Sequence, residues 1–230
     1  MDTKVKNSDY VFKEINGNLE FVGDFDSLYK NEDDPWNQSA KNGEISNYHL
    51  HSRKRLTNQL KNIDCVSSKY PAYSIFEIGC GLGYTTNDIQ RSLSTAKVTG
   101  ADISSVAITK AQKLFPNLNF VQANICDSNF SFEKKQDIVI LNQLLCYILE
   151  CFPVSLKNCF DLLKKDGKLV FSQGFLQSKQ KYAAEICDGF DGLVGYLNKN
   201  ANKLFKIEYS DFDNSKLFVH DDGLLILNKI

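Results

Sequence analysis

No stretch of about 18 consecutive apolar residues occurs in the sequence, so none of its segments is predicted to span a membrane. A charge excess is also missing, because 27 Lys and Arg residues face 28 Asp and Glu residues and the formal net charge is -1. This balance gives the chain no overall attraction to nucleic acid or to an anionic membrane surface. Residues 1–14 lack the apolar core of a signal peptide, and we expect a cytoplasmic protein.

Regular cysteine spacing is missing as well. The cysteines contain no CxxC pair, and their number is odd. A disulfide framework or a zinc site requires closer and more regular spacing, so we predict free thiols and no metal site. The seven residues are Cys65, Cys80, Cys126, Cys146, Cys151, Cys159 and Cys187.

The composition is otherwise that of an ordinary globular protein, with 43% hydrophobic and 24% charged residues in a chain of 230. This length favours one domain with a small appendage. Residues 1–45 are polar and have too few apolar side chains for a core of their own. We therefore divide the chain into an N-terminal arm with a lid helix at 1–65 and one folded domain at 66–230.

From residue 73 onward, short apolar runs alternate with segments of helical pattern. The runs lie at 73–78, 98–102, 118–121, 137–141 and 168–172. This alternation is typical of an α/β fold with a parallel sheet and helices on both faces. Residues 175–202 are interpreted as a helical insertion. The Asp-Gly pair within residues 220–223, between two further apolar runs, predicts a hairpin that ends the sheet in antiparallel strands.

A glycine-rich turn follows the first apolar run. Its sequence is Gly79-Cys80-Gly81-Leu82-Gly83, and Glu77 lies two residues before the first glycine. Open α/β sheets bind ligands at this position, where glycines let the backbone approach the ligand closely. The GxGxG spacing differs from the GxGxxG of dinucleotide enzymes, and the Glu77 carboxylate would repel a phosphate at the helix N-terminus. A ligand with a cationic amino acid part and no phosphate fits better.

Further polar residues follow the next two runs. Asp102 comes about 20 residues after the turn, where a carboxylate can accept both hydroxyls of a ribose. It is also placed to cap the helix that begins after Ser104. Asn124 ends the third run, where it is placed to bond an adenine edge while Ile125 covers the ring. Asn124 fits an ordinary turn residue as well.

Together these segments resemble the motifs of class I S-adenosylmethionine-dependent methyltransferases. The matching stretches are residues 77–83, 100–104 and 123–125, with 137–148 as a fourth motif. The resemblance implies a Rossmann-like, doubly wound sheet of seven strands, mostly parallel with an antiparallel last strand, and S-adenosyl-L-methionine as the cofactor. It implies a set of cofactor contacts in these motifs. They are Glu77, Gly79, Cys80, Gly81, Asp102, Ile103, Asn124, Ile125, Asn142 and Gln143.

Some positions depart from the pattern of that family. Asn124 stands where the family often has Asp, and Gln143 and Tyr147 stand where it often has Glu and His. Asn can still accept a hydrogen bond from the adenine amine, although without charge assistance. The change at Tyr147 removes the side chain that the family often uses there.

The N-terminal arm is similar to the leader of small-molecule methyltransferases, including nodulation-type N-methyltransferases. The similarity rests on residues 25–29, on Asp34-Pro35-Trp36, and on Tyr48 and Arg53. It implies that Trp36, Tyr48 and Arg53 lie over the cofactor. Arg53 is suited to bind the cofactor carboxylate but fits a surface cation equally well, and Trp36 fits a core anchor. Tyr48 and Arg53 lie about 140° apart on a helix, so they do not share one narrow face.

Candidate general bases for the reaction are His49, His51 and Tyr147. An oxygen nucleophile often needs such a base, whereas an amine needs only to be bound in its neutral form. The sequence therefore leaves O-methylation and N-methylation open. His49 and His51 lie on different faces of their helix, so at most one of them faces a pocket.

The methyl acceptor is predicted to be a small molecule, such as a sugar nucleotide or another surface-polysaccharide precursor. Leu141-Asn142-Gln143-Leu144 stands where adenine-N6 and glutamine methyltransferases have a DPPY-like or NPPY-like tetrapeptide, and the balanced charge argues against RNA. The alternatives are a tRNA, rRNA or protein methyltransferase, a non-catalytic protein that binds the cofactor, and a nicotinamide-dependent oxidoreductase. We expect the arm and the insertion at 175–202 to determine specificity.

Overall fold

A computed structural model describes residues 7–41, 43–63 and 73–230 of the chain. The strands in these ranges are β1 (Phe12–Ile15), β2 (Asn18–Phe21), β3 (Ser74–Ile78), β4 (Lys97–Asp102), β5 (Asn119–Gln122), β6 (Gln136–Asn142), β7 (Leu163–Phe175), β8 (Phe205–Asp213) and β9 (Asp221–Lys229). The first two form an antiparallel hairpin of their own, and the others form one seven-stranded sheet.

The large sheet has the strand order β5-β4-β3-β6-β7-β9-β8. Strands β3 to β7 pair in parallel, whereas β9, the last strand in the chain, is antiparallel to both of its neighbours. The chain changes its direction of travel across the sheet between β3 and β6, and open sheets bind ligands at such a switch point. The expected Rossmann-like, doubly wound sheet with an antiparallel last strand is confirmed.

Helices accompany the sheet throughout the described residues. They are α1 (Phe25–Asn31), α2 (Glu44–Leu60), α3 (Tyr84–Ser92), α4 (Ser105–Leu114), α5 (Leu145–Ile148), α6 (Phe152–Leu162) and α7 (Gly189–Asn200). Local sequence explains some of their starts. The Ala107 N–H donates to the Ser104 hydroxyl at 3.1 Å before α4, and Pro153 occupies the first turn of α6, where its missing N–H costs nothing. None of the described helices is long and apolar enough to cross a membrane.

The alternation of side chains along β3 divides the core between the two faces of the sheet. Phe76 belongs to a core cluster that contains residues of α5, α6 and α7. Ile75 belongs to a second cluster, together with Leu56 and Leu60 of α2. Because Leu56 and Leu60 are completely buried, the C-terminal half of α2 is fixed on the sheet.

The C-terminal part of the chain differs from the sequence-based expectation. The predicted hairpin turn at residues 220–223 is wrong, because residues 216–219 form no strand and β8 pairs with β9 across a longer loop. The Asp-Gly signal fails since Asp222 and Gly223 lie inside β9, where they pair with β7. The insertion at 175–202 contains one helix, α7, after an irregular segment.

The prediction that all cysteines are free thiols is wrong for one pair. Cys126, which follows β5, and Cys151, which precedes α6, form a disulfide bond. The fold brings their two loops together over a sequence separation of 25 residues, which the irregular spacing does not reveal. Cys65 lies outside the described residues. The described free thiols are Cys80, Cys146, Cys159 and Cys187.

Leu56→Ala should lower the free energy of unfolding by about 2–5 kcal/mol, because it leaves a cavity at a completely buried position between α2 and the sheet. Leu50→Ala is the matched control on the same helix. Leu50 is 51% exposed, and its truncation should change the free energy by about 0.5 kcal/mol or less. Urea denaturation measures both values, and equal losses in the two variants would contradict this packing of α2.

Candidate functional site

A cavity of about 810 Å³ lies at the carboxyl ends of the parallel strands β3 to β7. Its lining includes Gly79 after β3, Asp102 at the end of β4 and Asn142 at the end of β6, so it occupies the switch point. The N-terminal half of α2 and parts of the arm between residues 12 and 38 form the other walls. Binding sites for small molecules measure about 300–1,000 Å³, so this cavity is among the larger ones.

The glycine turn meets the cavity at Gly79. Its φ angle is +79°, in the left-handed region that favours glycine. A Cβ atom at this position would lie 2.8 Å from Cδ1 of Leu144, so a larger residue would collide with the neighbouring wall. The Gly79 N–H donates to the Ala101 carbonyl at 2.8 Å, which fixes the turn on β4. The turn therefore presents bare backbone to the cavity.

Asp102 connects the glycine turn with the helix that follows β4. One carboxylate oxygen accepts the Gly81 N–H at 2.8 Å, and the other accepts the Ser104 N–H at 2.9 Å. The residue is 7% exposed and borders the cavity. Burial raises the pKa of the Asp102 carboxyl, although the two N–H donors act in the opposite direction. Asp102 thus has a structural role here, and each oxygen keeps a lone pair for a hydroxyl group in the cavity.

The three residues predicted to contact adenine lie on one wall of the cavity. Ile103 is 44% exposed, whereas the Ile125 side chain packs mainly into the core. Oδ1 of Asn124 accepts the Cys126 N–H at 2.9 Å, so Asn124 is a turn residue in addition to bordering the cavity. Ile103 is therefore the member of this group that offers the most apolar surface to a flat ring.

Glu77 does not border the cavity, which corrects its predicted role as a direct cofactor contact. Its carboxylate is completely buried, and it accepts hydrogen bonds from Thr86 Oγ1 at 2.5 Å and Asn142 Nδ2 at 3.2 Å. Burial raises the pKa of Glu77 to about 7, while these donors and Arg53 favour the charged form. Because Asn142 borders the cavity, this hydrogen bond connects the buried Glu77 carboxyl to the cavity lining.

Cys80 and Gly81 also lie behind the cavity wall, and their predicted direct contacts are corrected in the same way. The Cys80 side chain is buried in a small cluster with Ile108 and Phe120. A Cβ atom on Gly81 would lie 2.6 Å from the Tyr29 hydroxyl, so the arm covers this glycine. Among the residues of the glycine turn, the described structure exposes only the first glycine to the cavity.

Helix α2 presents a broad stripe to the cavity that includes Tyr48, His49 and Arg53. Successive residues turn by about 100°, so Tyr48 and Arg53 lie at opposite edges of the stripe with His49 between them. The Arg53 guanidinium is buried and lies 3.3 Å from an Asp88 carboxylate oxygen. Arg53 is therefore the cation that α2 brings to the cavity wall.

The histidines of α2 have different surroundings. His49 borders the cavity, where burial and the Arg53 charge lower its pKa to about 4, so the imidazole is neutral at neutral pH. His51 does not border the cavity, because its Nε2 lies 2.8 Å from Asp213 Oδ2 and its ring stacks on Phe218. The prediction of His51 as a catalytic base is corrected, since it lies on a different face of α2.

Gln143 connects α2 with the sheet. Its Nε2 donates to the Tyr48 hydroxyl at 2.9 Å and to the Ser52 hydroxyl at 3.1 Å, while its Oε1 accepts the Gly174 N–H at 2.8 Å. The φ angle of Gln143 is +53°, which is uncommon for a residue with a side chain. The Tyr48 hydroxyl donates in turn to Asp222 at 3.0 Å. The polar groups of these two predicted cofactor residues thus position α2 over the cavity.

Tyr147 stands in an aromatic cluster that includes residues of the arm. Its ring centroid lies 5.7 Å from that of Trp36, 5.5 Å from that of Phe25 and 5.9 Å from that of Phe12. Burial holds the pKa of Tyr147 well above its usual value, so the phenol keeps its proton at neutral pH. A protonated phenol is a poor base, so the predicted role of Tyr147 as a general base has no support from these surroundings, although the residue borders the cavity. Trp36 both borders the cavity and anchors the arm on Tyr147.

Gln38 is a contact for which the sequence contains no signal. Its Oε1 accepts the Leu82 N–H at 2.8 Å, and its Nε2 donates to the Cys80 carbonyl at 3.4 Å. Asp34 holds this part of the arm by accepting the N–H groups of Gln38 at 2.7 Å and Ser39 at 2.9 Å. The arm is thus bonded directly to the glycine turn.

His220 is a second residue that the sequence reasoning missed. It borders the cavity next to Tyr48, with the ring centroids 5.3 Å apart. Its Nδ1 is buried and has no hydrogen-bond partner among the described residues. Burial lowers the pKa of His220, against the effect of the Asp221 charge. The sequence predicts a hairpin turn at His220. In the structure, His220 lies in the loop before β9, and this loop places it at the cavity.

Comparison with known proteins identifies the domain. Residues 76–169 match the family model of a methyltransferase domain. These residues form a methyltransferase domain, similar to those of class I S-adenosylmethionine-dependent methyltransferases. It is similar to malonyl-[acyl-carrier protein] O-methyltransferase 1 of Ilyobacter polytropus, with 30% identity over 103 residues that make up 44% of this chain and 37% of that protein. The chain spans less than half the length of the first curated relatives it matches.

Solved methyltransferase structures share the fold. The N-methyltransferase NodS from Bradyrhizobium japonicum, in complex with S-adenosyl-l-homocysteine, superposes with a TM-score of 0.61 at 18% identity over 86% of this chain and 93% of that chain. Magnesium protoporphyrin IX methyltransferase from Synechocystis PCC 6803, with bound S-adenosylmethionine, gives a TM-score of 0.64 at 17% identity over 100% of both chains. The predicted family and its cofactor, S-adenosyl-L-methionine, are confirmed.

The donor groups around the cavity of this methyltransferase domain suit that cofactor. A carboxylate with available lone pairs lies at Asp102, bare backbone lies at Gly79, and a buried guanidinium lies at Arg53. Asp102 can accept hydrogen bonds from hydroxyl groups, and Arg53 can bind a carboxylate. Gly79 leaves room for a ligand chain that packs closely against the backbone.

Glu77→Gln tests the buried carboxyl behind the wall of the methyltransferase cavity. The folded protein holds the Glu77 proton to a higher pH than the unfolded chain does, since the pKa rises from 4.5 to about 7. Stability therefore falls as the pH rises through this range. The Gln amide stays neutral, so the variant should gain about 2 kcal/mol of unfolding free energy relative to the parent protein between about pH 5 and pH 7. Urea denaturation measures the gain, and a difference independent of pH would contradict the raised pKa.

Proposed function

We propose that the protein transfers a methyl group from S-adenosyl-L-methionine to an oxygen or nitrogen atom of a small molecule. The observation that carries this proposal is the cavity at the switch point of the sheet, bordered by Gly79 and by the Asp102 carboxylate. Its volume of about 810 Å³ supports the binding of the cofactor with a small second molecule beside it.

In this proposal Asp102 accepts the ribose hydroxyls, and Arg53 binds the carboxylate of the methionine part. Ile103 and Asn124 border the adenine, and Gly79 lets the chain of the cofactor pass close to the backbone. The bound cofactor supplies an electrophilic methyl group on its sulfonium. The residues of the chain contribute position and the exclusion of water, which substitution at a methyl group requires.

We also propose that residues 1–65 act as an arm and lid on the single domain at 66–230. Two contacts of the arm support this division of roles. Gln38 accepts the Leu82 N–H of the glycine turn, and Asp26 accepts the Ser104 hydroxyl at 2.6 Å. Gln38 and other arm residues such as Trp36 border the cavity, so in this proposal the arm covers a bound cofactor and shields it from water.

The acceptor suggested by the sequence is a sugar nucleotide or another surface-polysaccharide precursor. The relatives named above include an O-methyltransferase and an N-methyltransferase, so they support methyl transfer and leave the acceptor atom open. The net charge of -1 gives no support to a nucleic acid acceptor. We propose a cytoplasmic location, as expected from the sequence; the four described free thiols are usual in a reducing compartment, whereas the Cys126–Cys151 disulfide is not.

Calorimetric titration with S-adenosylhomocysteine tests the proposal. We expect saturable binding of this ligand. NADH should not bind, because Asp102 and Gln38 already accept the Gly81 and Leu82 N–H groups of the turn, where its pyrophosphate would be placed. The absence of heat at about millimolar S-adenosylhomocysteine, a concentration that detects even very weak sites, would refute the proposed function.

Asp102→Asn should weaken the binding of S-adenosylhomocysteine about tenfold or more, because it removes the charge from the hydrogen bonds to two hydroxyls. Asp127→Asn is the matched control, since Asp127 lies outside the cavity and accepts the Asn129 N–H in a loop. Thermal unfolding reports whether each variant is folded. Unchanged affinity in a folded Asp102→Asn protein would leave Asp102 with its structural role alone.

Arg53→Gln should weaken the binding of S-adenosylhomocysteine about tenfold, because the charged hydrogen bonds to its carboxylate are lost. The binding of 5′-methylthioadenosine, which lacks that carboxylate, should not change. Arg91→Gln, at an exposed position of α3, is the control. Equal losses for both ligands would show that Arg53 does not recognise the carboxylate.

A further inference from the structure

The disulfide bond between Cys126 and Cys151 belongs to the wall of the cavity, and both residues border it. Both are half-buried, whereas three of the described free cysteines, Cys80, Cys159 and Cys187, are buried. The bond therefore lies in a part of the chain that solvent reaches, next to the proposed cofactor site.

The disulfide joins two segments that form different parts of this wall. Cys126 belongs to the loop after β5, two residues beyond Asn124, the proposed neighbour of the adenine. Cys151 ends a short turn of 3₁₀ helix (Leu149–Cys151) directly before α6. The chain between the two cysteines contains β6 and α5. The bond thus attaches the loop that carries Asn124 to the start of α6.

The loop around Asn124 has few other attachments. Among the described residues, the Asn124 side chain is bonded only within its own turn, where Oδ1 accepts the Cys126 N–H at 2.9 Å. Asn158 of α6 holds the backbone on either side, because its Nδ2 donates to the Ile125 carbonyl at 2.7 Å and to the Asp127 carbonyl at 2.8 Å. Reduction of the disulfide would leave the Asn158 contacts in place and remove the covalent attachment.

The surroundings of the two sulfur atoms also suit a pair of thiols. The buried Ser155 hydroxyl lies 3.4 Å from Sγ of Cys151 and 3.6 Å from Sγ of Cys126. The Ile148 carbonyl oxygen lies 3.4 Å from Sγ of Cys151, where it can accept a hydrogen bond from a thiol. Both redox forms of the pair therefore find polar partners within the same fold.

The free cysteines are poor candidates for the same chemistry. Burial raises the pKa of Cys146 and of Cys187 to about 12 and holds that of Cys80 well above its usual value. Burial also raises the pKa of Cys159. The thiolate is the form that exchanges with a disulfide, so these thiols are unreactive near neutral pH. Among the described cysteines, a redox response is thus confined to the bonded pair.

We propose that Cys126 and Cys151 form a redox-active site that sets the affinity of the domain for S-adenosyl-L-methionine. This inference rests on the proposed function and adds a regulation of the same site. The disulfide fixes the loop that carries Asn124 before the cofactor binds, and after reduction, binding has to order this loop as well, which lowers the affinity. The proposed cytoplasmic location fits such a site, because disulfides of cytosolic proteins are mostly transient or redox-sensing.

The reductant is a small thiol such as glutathione, and two molecules are consumed. The thiolate of the first attacks one sulfur of the pair, the protein disulfide breaks, and the other cysteine leaves as a thiolate that takes up a proton. The second thiolate attacks the resulting mixed disulfide, which releases the remaining cysteine and forms glutathione disulfide. Two electrons and two protons have then passed from the small thiols to the protein, and oxidation by glutathione disulfide reverses both steps.

Calorimetric titration of the two redox forms of the folded protein tests this site. Glutathione or glutathione disulfide sets the form, and alkylation followed by peptide mass spectrometry verifies it for each cysteine separately. We expect the disulfide form to bind S-adenosylhomocysteine about threefold to tenfold more tightly, and reoxidation to restore the affinity. The same ratio should hold for 5′-methylthioadenosine, because the attached loop borders the adenine. Equal affinities, tighter binding by the reduced form, or a disulfide that resists reduction in the folded protein would overturn the inference.

Variants of single cysteines separate this role from a purely stabilising one. Cys126→Ser should bind S-adenosylhomocysteine like the reduced parent protein and lose the response to glutathione. Cys146→Ser is the matched control, since Cys146 borders the same cavity as a free thiol, and it should keep the response. Thermal unfolding shows whether each variant is folded. A response that survives in Cys126→Ser, or a disulfide that changes only the thermal stability, contradicts the assignment.

The coupling between the two equilibria gives an independent readout, because it must act in both directions. Saturating S-adenosylhomocysteine should shift the glutathione equilibrium of the pair toward the disulfide by the same factor as the ratio of affinities. If S-adenosylhomocysteine binds to neither redox form, the proposed function is refuted and the redox inference falls with it. If it binds to both forms equally and the equilibrium does not shift, only the redox inference is refuted.

Discussion

The pair of hydrogen bonds accepted by the Asp102 carboxylate is the constraint on which the rest of the site depends. Gly81 and Ser104 donate these bonds, so one side chain at the end of β4 joins the glycine turn to the start of α4. Burying a carboxylate costs free energy unless hydrogen-bond donors surround it. Here the donors are backbone N–H groups, which other side chains cannot displace. The arm attaches to the same point, because Asp26 accepts the Ser104 hydroxyl and the Val106 N–H.

The same contacts explain why the glycine turn suits a cofactor without phosphates. In a dinucleotide site, free N–H groups at the start of the helix bind the pyrophosphate. Here Asp102 has taken the Gly81 N–H, and Gln38 of the arm has taken the Leu82 N–H. The buried Glu77 carboxyl close to the same turn supplies no positive charge or free N–H group for an anion. What remains open to a ligand is the bare backbone of Gly79.

The sequence predicts the fold class and the residues that follow the parallel strands. Asp102 and Asn124 reach the cavity because parallel strands end at one edge of a sheet, a rule that needs no knowledge of packing. The sequence does not predict the surroundings of Glu77 and His220, because segments that are distant along the chain form them. Glu77 is buried by Thr86 and Asn142, and His220 is carried to the cavity by the pairing of β8 with β9. Only the docking of α2 decides that His49, and not His51, faces inward.

The neutral histidine rings of this cavity suit the charge of the cofactor. A sulfonium is cationic, and an imidazolium beside it would repel it in a surrounding of low dielectric constant. Burial and the neighbouring Arg53 lower the pKa of His49 to about 4, and burial lowers that of His220, so both rings stay uncharged before the reaction. Methyl transfer removes the positive charge from sulfur. Burial and the Arg53 charge still disfavour a proton on the His49 ring after the transfer, so the low pKa of His49 favours binding of the cationic cofactor and makes this ring a weak base.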